Sequence, residues 1–341
     1  MTQQNQAAWI DKEPRKPLRV GPADIPTPGD DEIVVKNHAL AINPVDWKIQ
    51  DYGIFVQSWP NVLGTDVAGE VHDVGKNVTR FKKGDRVIAH AVGLANGKAT
   101  HGGFQLYTAV LQAYAATIPS NLSYTDAAVL PLAIDTAGHG LYDQRSKGFL
   151  GLPDPTLHGS PCNKTIVVWG ASSSVGALTV QLATASGAKV IGVASKHNHD
   201  FVKSLGAVAV LDYNEPTIVD DVVKAISTAG GEFAGVYDAI SLDESRKHVF
   251  PIVEEFGGNN VAGTLPPPQS GLPEKVKYGA IFAVNEVNAP VWEKFVTPAL
   301  ESGQLKAVPR AVVVGKGLES VQKGLDANKA GVSAKKVVVE L

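Results

Sequence analysis

The chain has 341 residues, with 31 Lys and Arg against 34 Asp and Glu, nine His and a formal net charge of -3. That length exceeds what one hydrophobic core organises, so two domains are expected, and the near balance of charge offers no basic field for nucleic acid or an anionic membrane. A single cysteine, Cys162, excludes an intrachain disulfide and a multi-cysteine zinc site.

The opening stretch MTQQNQAAWIDKEPRK lacks the basic, apolar, small-residue order of a secretory signal. Every apolar run falls well short of the roughly 20 residues that span a bilayer, so a soluble, cytoplasmic protein is expected. From residue 22 to about 124, short β-type segments at 33–41, 67–74, 86–89 and 105–110 alternate with Gly, Pro, Asn and Asp turns, which predicts a compact β-rich barrel. Ser123 can cap a helix starting near 125, which Pro131 would kink. Residues 148–163 read as a Gly- and Pro-rich connector, and Pro266-Pro267-Pro268 as a stiff surface loop.

Beyond the connector the pattern alternates strictly: strand 165–169, helix 175–186, strand 189–194, helix 199–205, strand 208–211, helix 217–229 and strand 235–240, with further strands at 260–262 and 278–284. Apolar strands alternating with helices predict a parallel sheet covered on both faces. The tail carries helices near 291–302 and 317–328 and a strand at 336–340, and is expected to fold back onto the barrel.

The stretch VVWGASSSVG, residues 167–176, has the form of a dinucleotide turn: Gly170 allows a tight exit from the strand and Gly176 a close helix-to-sheet contact. Ser174 stands where a middle glycine is usual, but its hydroxyl can donate to a phosphate oxygen, as can those of Ser172 and Ser173, with Val175 opening the helix behind them. An ordinary helix cap is the alternative reading. The second strand ends at Ser195, Lys196, His197 and Asn198, with no acid to accept from a ribose 2′-OH. Donors and a positive charge there suit a 2′-phosphate, which predicts NADPH over NADH; a solvated basic turn is the competing explanation. Tyr213 can pack near the adenosine or serve only as a packing residue. Ligands bind at the carboxyl ends of strands in such sheets, which points to Gly263 and Thr264 at the nicotinamide ribose. Gly279, Ala280, Ile281, Phe282 and Ala283 would then line a substrate channel, with edge-strand structure as the alternative for both stretches.

Taken together, AINPVDWK (41–48), VLGTDVAGEV (62–71), KKGDRV (82–87), GGFQLY (102–107), AAVLPLAIDTAG (127–138), the GASSSVG loop, SKHN, LDY and the terminal VSAKKVVVEL resemble the medium-chain dehydrogenase/reductase superfamily. The likeness is to its zinc-free, quinone-oxidoreductase-like branch, nearest to fungal NADPH-dependent enoyl reductases that act in trans with polyketide synthases. It implies an α/β chain with a GroES-like β-barrel domain (residues 1–124 and 285–341), a Rossmann domain (125–284) and an active site in the cleft between them. Zinc-dependent relatives carry a ligating histidine in a Gly-His-Glu stretch. Here the match is Gly64-Thr65-Asp66, so no metal is expected.

The segment NPVDWKIQDYG is expected to begin a helix after Pro44, with positions 45, 48 and 52 on one face. The resemblance turns Val45, Asp46, Trp47 and Lys48 toward the cofactor. Lys48 becomes a donor to the substrate carbonyl or the ribose, Tyr52 a proton or hydrogen-bond donor, and Thr136 a hydroxyl beside the nicotinamide. His139, one turn beyond Thr136, is a candidate proton source or substrate contact for its imidazole chemistry, and Ser333 is a cofactor contact by the same carry-over as the residues before it. A surface lysine, a lid aromatic, a small helix residue and a structural histidine are the respective alternatives. The implied reaction is conjugate reduction of an α,β-unsaturated carbonyl, with a quinone or aldehyde reductase, or a non-catalytic NADPH-binding adaptor, as competitors. The expected partner is that small molecule, free or tethered to a carrier protein, acted on by a monomer or homodimer.

Overall fold

The computed structural model describes residues 4–341. From the N-terminus come β1 (Asn5–Ile10), β2 (Arg19–Ala23), β3 (Glu32–Ala41), α1 (Pro44–Tyr52), β4 (Asn61–Val62), β5 (Asp66–Val74), β6 (Arg86–His90), α2 (Gly93–Asn96), β7 (Tyr107–Leu111), β8 (Ala115–Thr117), α3 (Tyr124–Ala127) and α4 (Pro131–Tyr142). Next are β9 (Lys164–Trp169), α5 (Ser174–Ala185), β10 (Lys189–Val193), α6 (His199–Lys203), β11 (Ala209–Leu211), α7 (Ile218–Ala229), β12 (Glu232–Asp238), α8 (Asp243–Glu255), β13 (Asn260–Gly263) and β14 (Lys277–Ala280). The tail adds α9 (Val296–Ser302), β15 (Arg310–Lys316), α10 (Val321–Lys329) and β16 (Lys335–Glu340).

Two compact units result. The first runs from the N-terminal strands to Leu132 and takes in Leu300–Gly303 and Ala307–Leu341; the second comprises Ala133–Ala299 and Gln304–Lys306. The first unit is built on a curved sheet in the order β15-β16-β3-β5-β6-β8, with β7 also pairing β3. Its core gathers Ile33, Leu40, Val67, Val71 and Val87 with Leu318, Val321, Leu325 and Val337, so the tail closes the barrel by burying its own apolar face. In the second unit the sheet is wholly parallel, in the order β11-β10-β9-β12-β13-β14. Successive strands are laid down in one direction from β9 to β11 and in the other from β12 to β14, so the order reverses between β9 and β12, which makes the end of β9 the switch point where such sheets take ligands.

Several elements differ from expectation. Pro131 does not kink a helix but opens α4, because a residue without an N–H is best placed in a first turn. Residues 285–299, expected in the barrel domain, pack with the second unit instead. There Asn288 Nδ2 donates to the Asp135 carbonyl (2.9 Å) and Trp292 Nε1 to the Asp135 carboxylate (2.7 Å). The last strand of the parallel sheet stops at Ala280, short of residue 284.

Candidate functional site

The turn after β9 is set by two glycines. Gly170 has a φ of 75°, in the left-handed region that favours glycine, and a Cβ on Gly176 would lie 2.2 Å from the Gly170 carbonyl oxygen. The start of α5 therefore presses directly on the strand exit. Ser173 caps it, its Oγ accepting from the Gly176 N–H at 3.0 Å, while the buried Ser174 Oγ has no hydrogen-bond partner. An unsatisfied hydroxyl beside the free N–H groups of a helix start fits an anionic phosphate.

The β10 tip is joined to this turn. Asn198 Nδ2 donates to Ser172 Oγ and to Ser195 Oγ, both at 3.2 Å, so loop and tip form one hydrogen-bonded surface. Lys196 and His197 are exposed on it, and Tyr213 is 45% exposed just past β11. Asp212 lies alongside, its carboxylate accepting from the Asn214 amide and N–H. Those bonds hold it below the usual carboxylate range.

At the ends of β12 and β13 a buried carboxylate missed in the sequence organises the loops. Asp238 accepts from the N–H groups of Ile240 (3.0 Å) and Ser241 (2.9 Å) and from Ser245 Oγ (2.7 Å), and burial raises its pKa. Ser241, held at a φ of 54°, accepts in turn from the Thr264 N–H at 2.8 Å. Gly263 leaves room for Tyr278, whose hydroxyl oxygen would lie 1.8 Å from a Cβ there. The signal was present in the short run YDAISLDES, an acid followed by residues able to donate to it.

Residues 279–283 pass from a buried Gly279 to an exposed Phe282. His139, read as a proton source, is instead a clamp for this segment. Its Nδ1 sits between the N–H (3.0 Å) and carbonyl (2.7 Å) of Phe282, and its Nε2 lies 3.2 Å from both Asp143 and Asn285. With both ring nitrogens engaged and the residue 5% exposed, it has no face left for a substrate. Thr136, half-buried on the same helix, offers its carbonyl to the Tyr237 hydroxyl at 2.7 Å.

On α1, Val45, Trp47 and Lys48 are half-buried and Tyr52 is 67% exposed, as a shared outer face requires. Lys48 Nζ stands 5.7 Å from the centroid of the Trp47 ring. Ser333 is exposed before β16. Asp46 does not belong to the outer face. Fully buried, it accepts from the Asn43 N–H through Oδ2 (2.8 Å), while Oδ1 meets no donor in hydrogen-bonding geometry, although the Gly64 N–H favours ionisation. Burial, aided by the charge of Asp66, pushes its pKa up to about 7.

The comparisons with known proteins agree with this architecture. Residues 29–120 match the alcohol dehydrogenase GroES-like domain, and residues 174–288 match the zinc-binding dehydrogenase family. Dehydrogenase orsE of Emericella nidulans is 47% identical over 99% of both chains. The trans-enoyl reductase himH of Aspergillus japonicus is 43% identical over 99% of this chain and 97% of its own. An alcohol dehydrogenase superfamily protein of Novosphingobium aromaticivorans shares the fold, with a TM-score of 0.76 at 24% identity over 99% of each chain. A phosphate-ready turn at the switch point of a parallel sheet, a GroES-like barrel and relatives of this similarity lead to one assignment: the chain belongs to the medium-chain dehydrogenase/reductase superfamily, as an oxidoreductase related to the fungal enoyl reductases.

Proposed function

We propose that the chain is an NADPH-dependent, metal-free reductase of a carbon–carbon double bond conjugated to a carbonyl, working in secondary metabolism. The observation that carries the reading is the joined surface of Ser172, Ser195 and Asn198, with Lys196 exposed on it and Ser174 opening the adjacent helix. It offers the Ser172 hydroxyl to a diphosphate and the Lys196 cation with the Ser195 hydroxyl to a 2′-phosphate, Asn198 spending its amide hydrogens on joining the two serines, with no acid at the β10 tip itself. Lys196→Ala is accordingly expected to raise KM for NADPH about tenfold and to leave KM for NADH within about twofold, since only the phosphorylated ribose loses a charge-assisted contact.

The barrel residues do not fit a zinc ion. Where zinc-dependent relatives place a ligating histidine, this chain has Thr65 flanked by Gly64 and Asp66, and no thiol is near; an ammonium, Lys336 Nζ, lies 3.0 Å from Asp66. Among the described residues no group of three or more His, Cys, Asp or Glu side chains could hold a metal. Conjugate reduction suits such a chain, because charge passes to the carbonyl oxygen, where hydrogen-bond donors can stabilise it. When bound, the reduced dinucleotide supplies a hydride to the β-carbon. Lys48 donates to the carbonyl oxygen and holds the enolate charge, Thr136 orients that oxygen or the carboxamide, and water or Tyr52 delivers the α-proton.

The test is NADPH oxidation against a panel of enones, quinones and aldehydes, with the enone offered free and as a carrier-protein thioester. Enone turnover well above the rest supports the reading; a preference for quinones or aldehydes replaces it with a reductase of that class, and no turnover with any of them makes the chain a binding protein. Lys48→Ala is expected to lower kcat/KM for the enone by about 100-fold, on the scale of losing one donor to a developing oxyanion, with NADPH affinity changed far less.

A further inference from the structure

The first unit contains a buried charge cluster that the proposed reaction does not use. Register explains its assembly: β3 lies between β5 and β16, with Ala41 opposite Asp66 on one side and Val338 on the other. This places Asn43, just past β3, beside Asp66 at the start of β5 and Lys336 in β16, three residues that are 4%, 0% and 3% exposed. Lys336 Nζ donates to Asn43 Oδ1 and pairs with Asp66 Oδ2 at 3.0 Å. Asn43 Nδ2 donates to the same Asp66 oxygen (2.7 Å) and to Thr65 Oγ1 (3.0 Å), and the other Asp66 oxygen accepts from the Leu132 N–H at 2.6 Å.

Each contact fixes the start of a helix. Asn43 is the residue before α1, and its N–H is held by Asp46. Leu132 is the second residue of α4, where a carboxylate satisfies a free N–H and complements the helix dipole. The ammonium is what allows this arrangement, because Asp66 is otherwise a carboxylate without counter-charge in a dry interior. A lysine is rarely buried to this extent, and here its two polar partners, Asn43 and Asp66, each hold the start of a helix.

We propose that Lys336 is a positioning residue: its ammonium is a fixed internal cation that, through Asn43 and Asp66, sets the first turns of α1 and α4 and thereby the placement of Lys48. The inference rests on the reading of Lys48 as the donor to the substrate oxygen. A role in charge balance alone makes a different forecast. If only neutrality matters, removing both charges together restores everything; if the ammonium positions α1, neutrality restores the fold and not the activity.

Three variants separate the two. Lys336→Met alone leaves the buried Asp66 carboxylate unpaired and is expected to lower Tm sharply. Lys336→Met combined with Asp66→Asn lets Asn43 turn its amide toward the new one. It is expected to recover a Tm near the parent's, with about tenfold lower kcat on the enone, KM for NADPH within about threefold, and amides of residues 45–52 exchanging with deuterium at least about fivefold faster. Lys336→Arg keeps the charge in a longer planar head, and is expected to fold with reduced kcat. Parent-like kcat and parent-like exchange in the double variant overturn the proposal. Should that variant not fold, parent-like kcat and exchange in Lys336→Arg do the same. The exchange measurement needs no turnover, so it still decides the role of Lys336 if the parent reduces no enone.

Discussion

Replacing Gly176 with alanine is expected to cost about 3 kcal/mol of stability and to weaken NADPH binding at least about tenfold. The added Cβ would meet the Gly170 carbonyl oxygen at 2.2 Å, the Gly170 carbonyl carbon at 2.8 Å and Ala171 Cα at 2.9 Å. All three are backbone atoms, so no side chain can turn aside and the strand exit or the helix start must shift. Either movement displaces the N–H groups of α5 from the position proposed for the cofactor's diphosphate. Ser174→Ala separates the two effects. Its hydroxyl is buried and unpartnered, so its loss leaves stability level or slightly higher while NADPH affinity still falls. Isothermal titration alongside thermal unfolding checks both variants, and tight NADPH binding by Gly176→Ala would remove this turn from the cofactor site.

A second large effect concerns Asp46 and pH. Its carboxyl is raised to about 7 in the folded chain from an ordinary value of 3.8, so between those values the folded state holds a proton that the unfolded state has released. Stability is then fullest below about pH 4 as far as this group is concerned, and is lost as pH rises through 7, by about 4 kcal/mol for a gap of about three pH units. The group faces Asp66, whose charge adds to the rise, and Lys336, whose ammonium opposes it. Asp46→Asn keeps an oxygen for the Asn43 N–H and removes the titration. It is expected to raise Tm above pH 7 and to flatten the Tm profile between pH 5 and 8 relative to the parent. Parallel profiles for the two proteins would show that Asp46 ionises freely in the fold.

Much of the second unit could be read directly because local rules coincide there with the tertiary outcome. An apolar strand, a Gly-Ala-Ser-Ser-Ser turn and a small-residue helix predict one another across 165–186. The helix Asp243–Glu255 escaped notice because Pro251 interrupts it and its charged first turn masks the apolar face carried by Val249, Ile252 and Val253. Strands β1 and β2 were missed for another reason. They form a separate small sheet with β4, and the short runs NQAAWI and RVGPA do not alternate cleanly.

The candidate site divides along the same line. Residues of the turn and the β10 tip lie within about one βαβ unit, so spacing alone brought Gly170 through Asn198 together. His139 was singled out for its chemistry, but its partners Phe282 and Asn285 are 143 and 146 positions away, and only the folded chain reveals that both ring nitrogens are taken. Asp46 sat within the right motif on the wrong face, since the capping contact that turns it inward depends on one backbone N–H. Asp238 and Lys336 act through burial, a property that an isolated acid or lysine in the sequence does not advertise.

Asn43 and Lys336 are separated by 293 positions. At translation speeds of about 5–20 residues per second, the ribosome needs roughly 15–60 s after making the first to supply the second. Throughout that interval the nascent barrel strands carry two acids destined for its interior and no lysine to neutralise them. The sheet is thus completed only after the parallel-sheet unit has been synthesised, and until then the early strands lack their last partner.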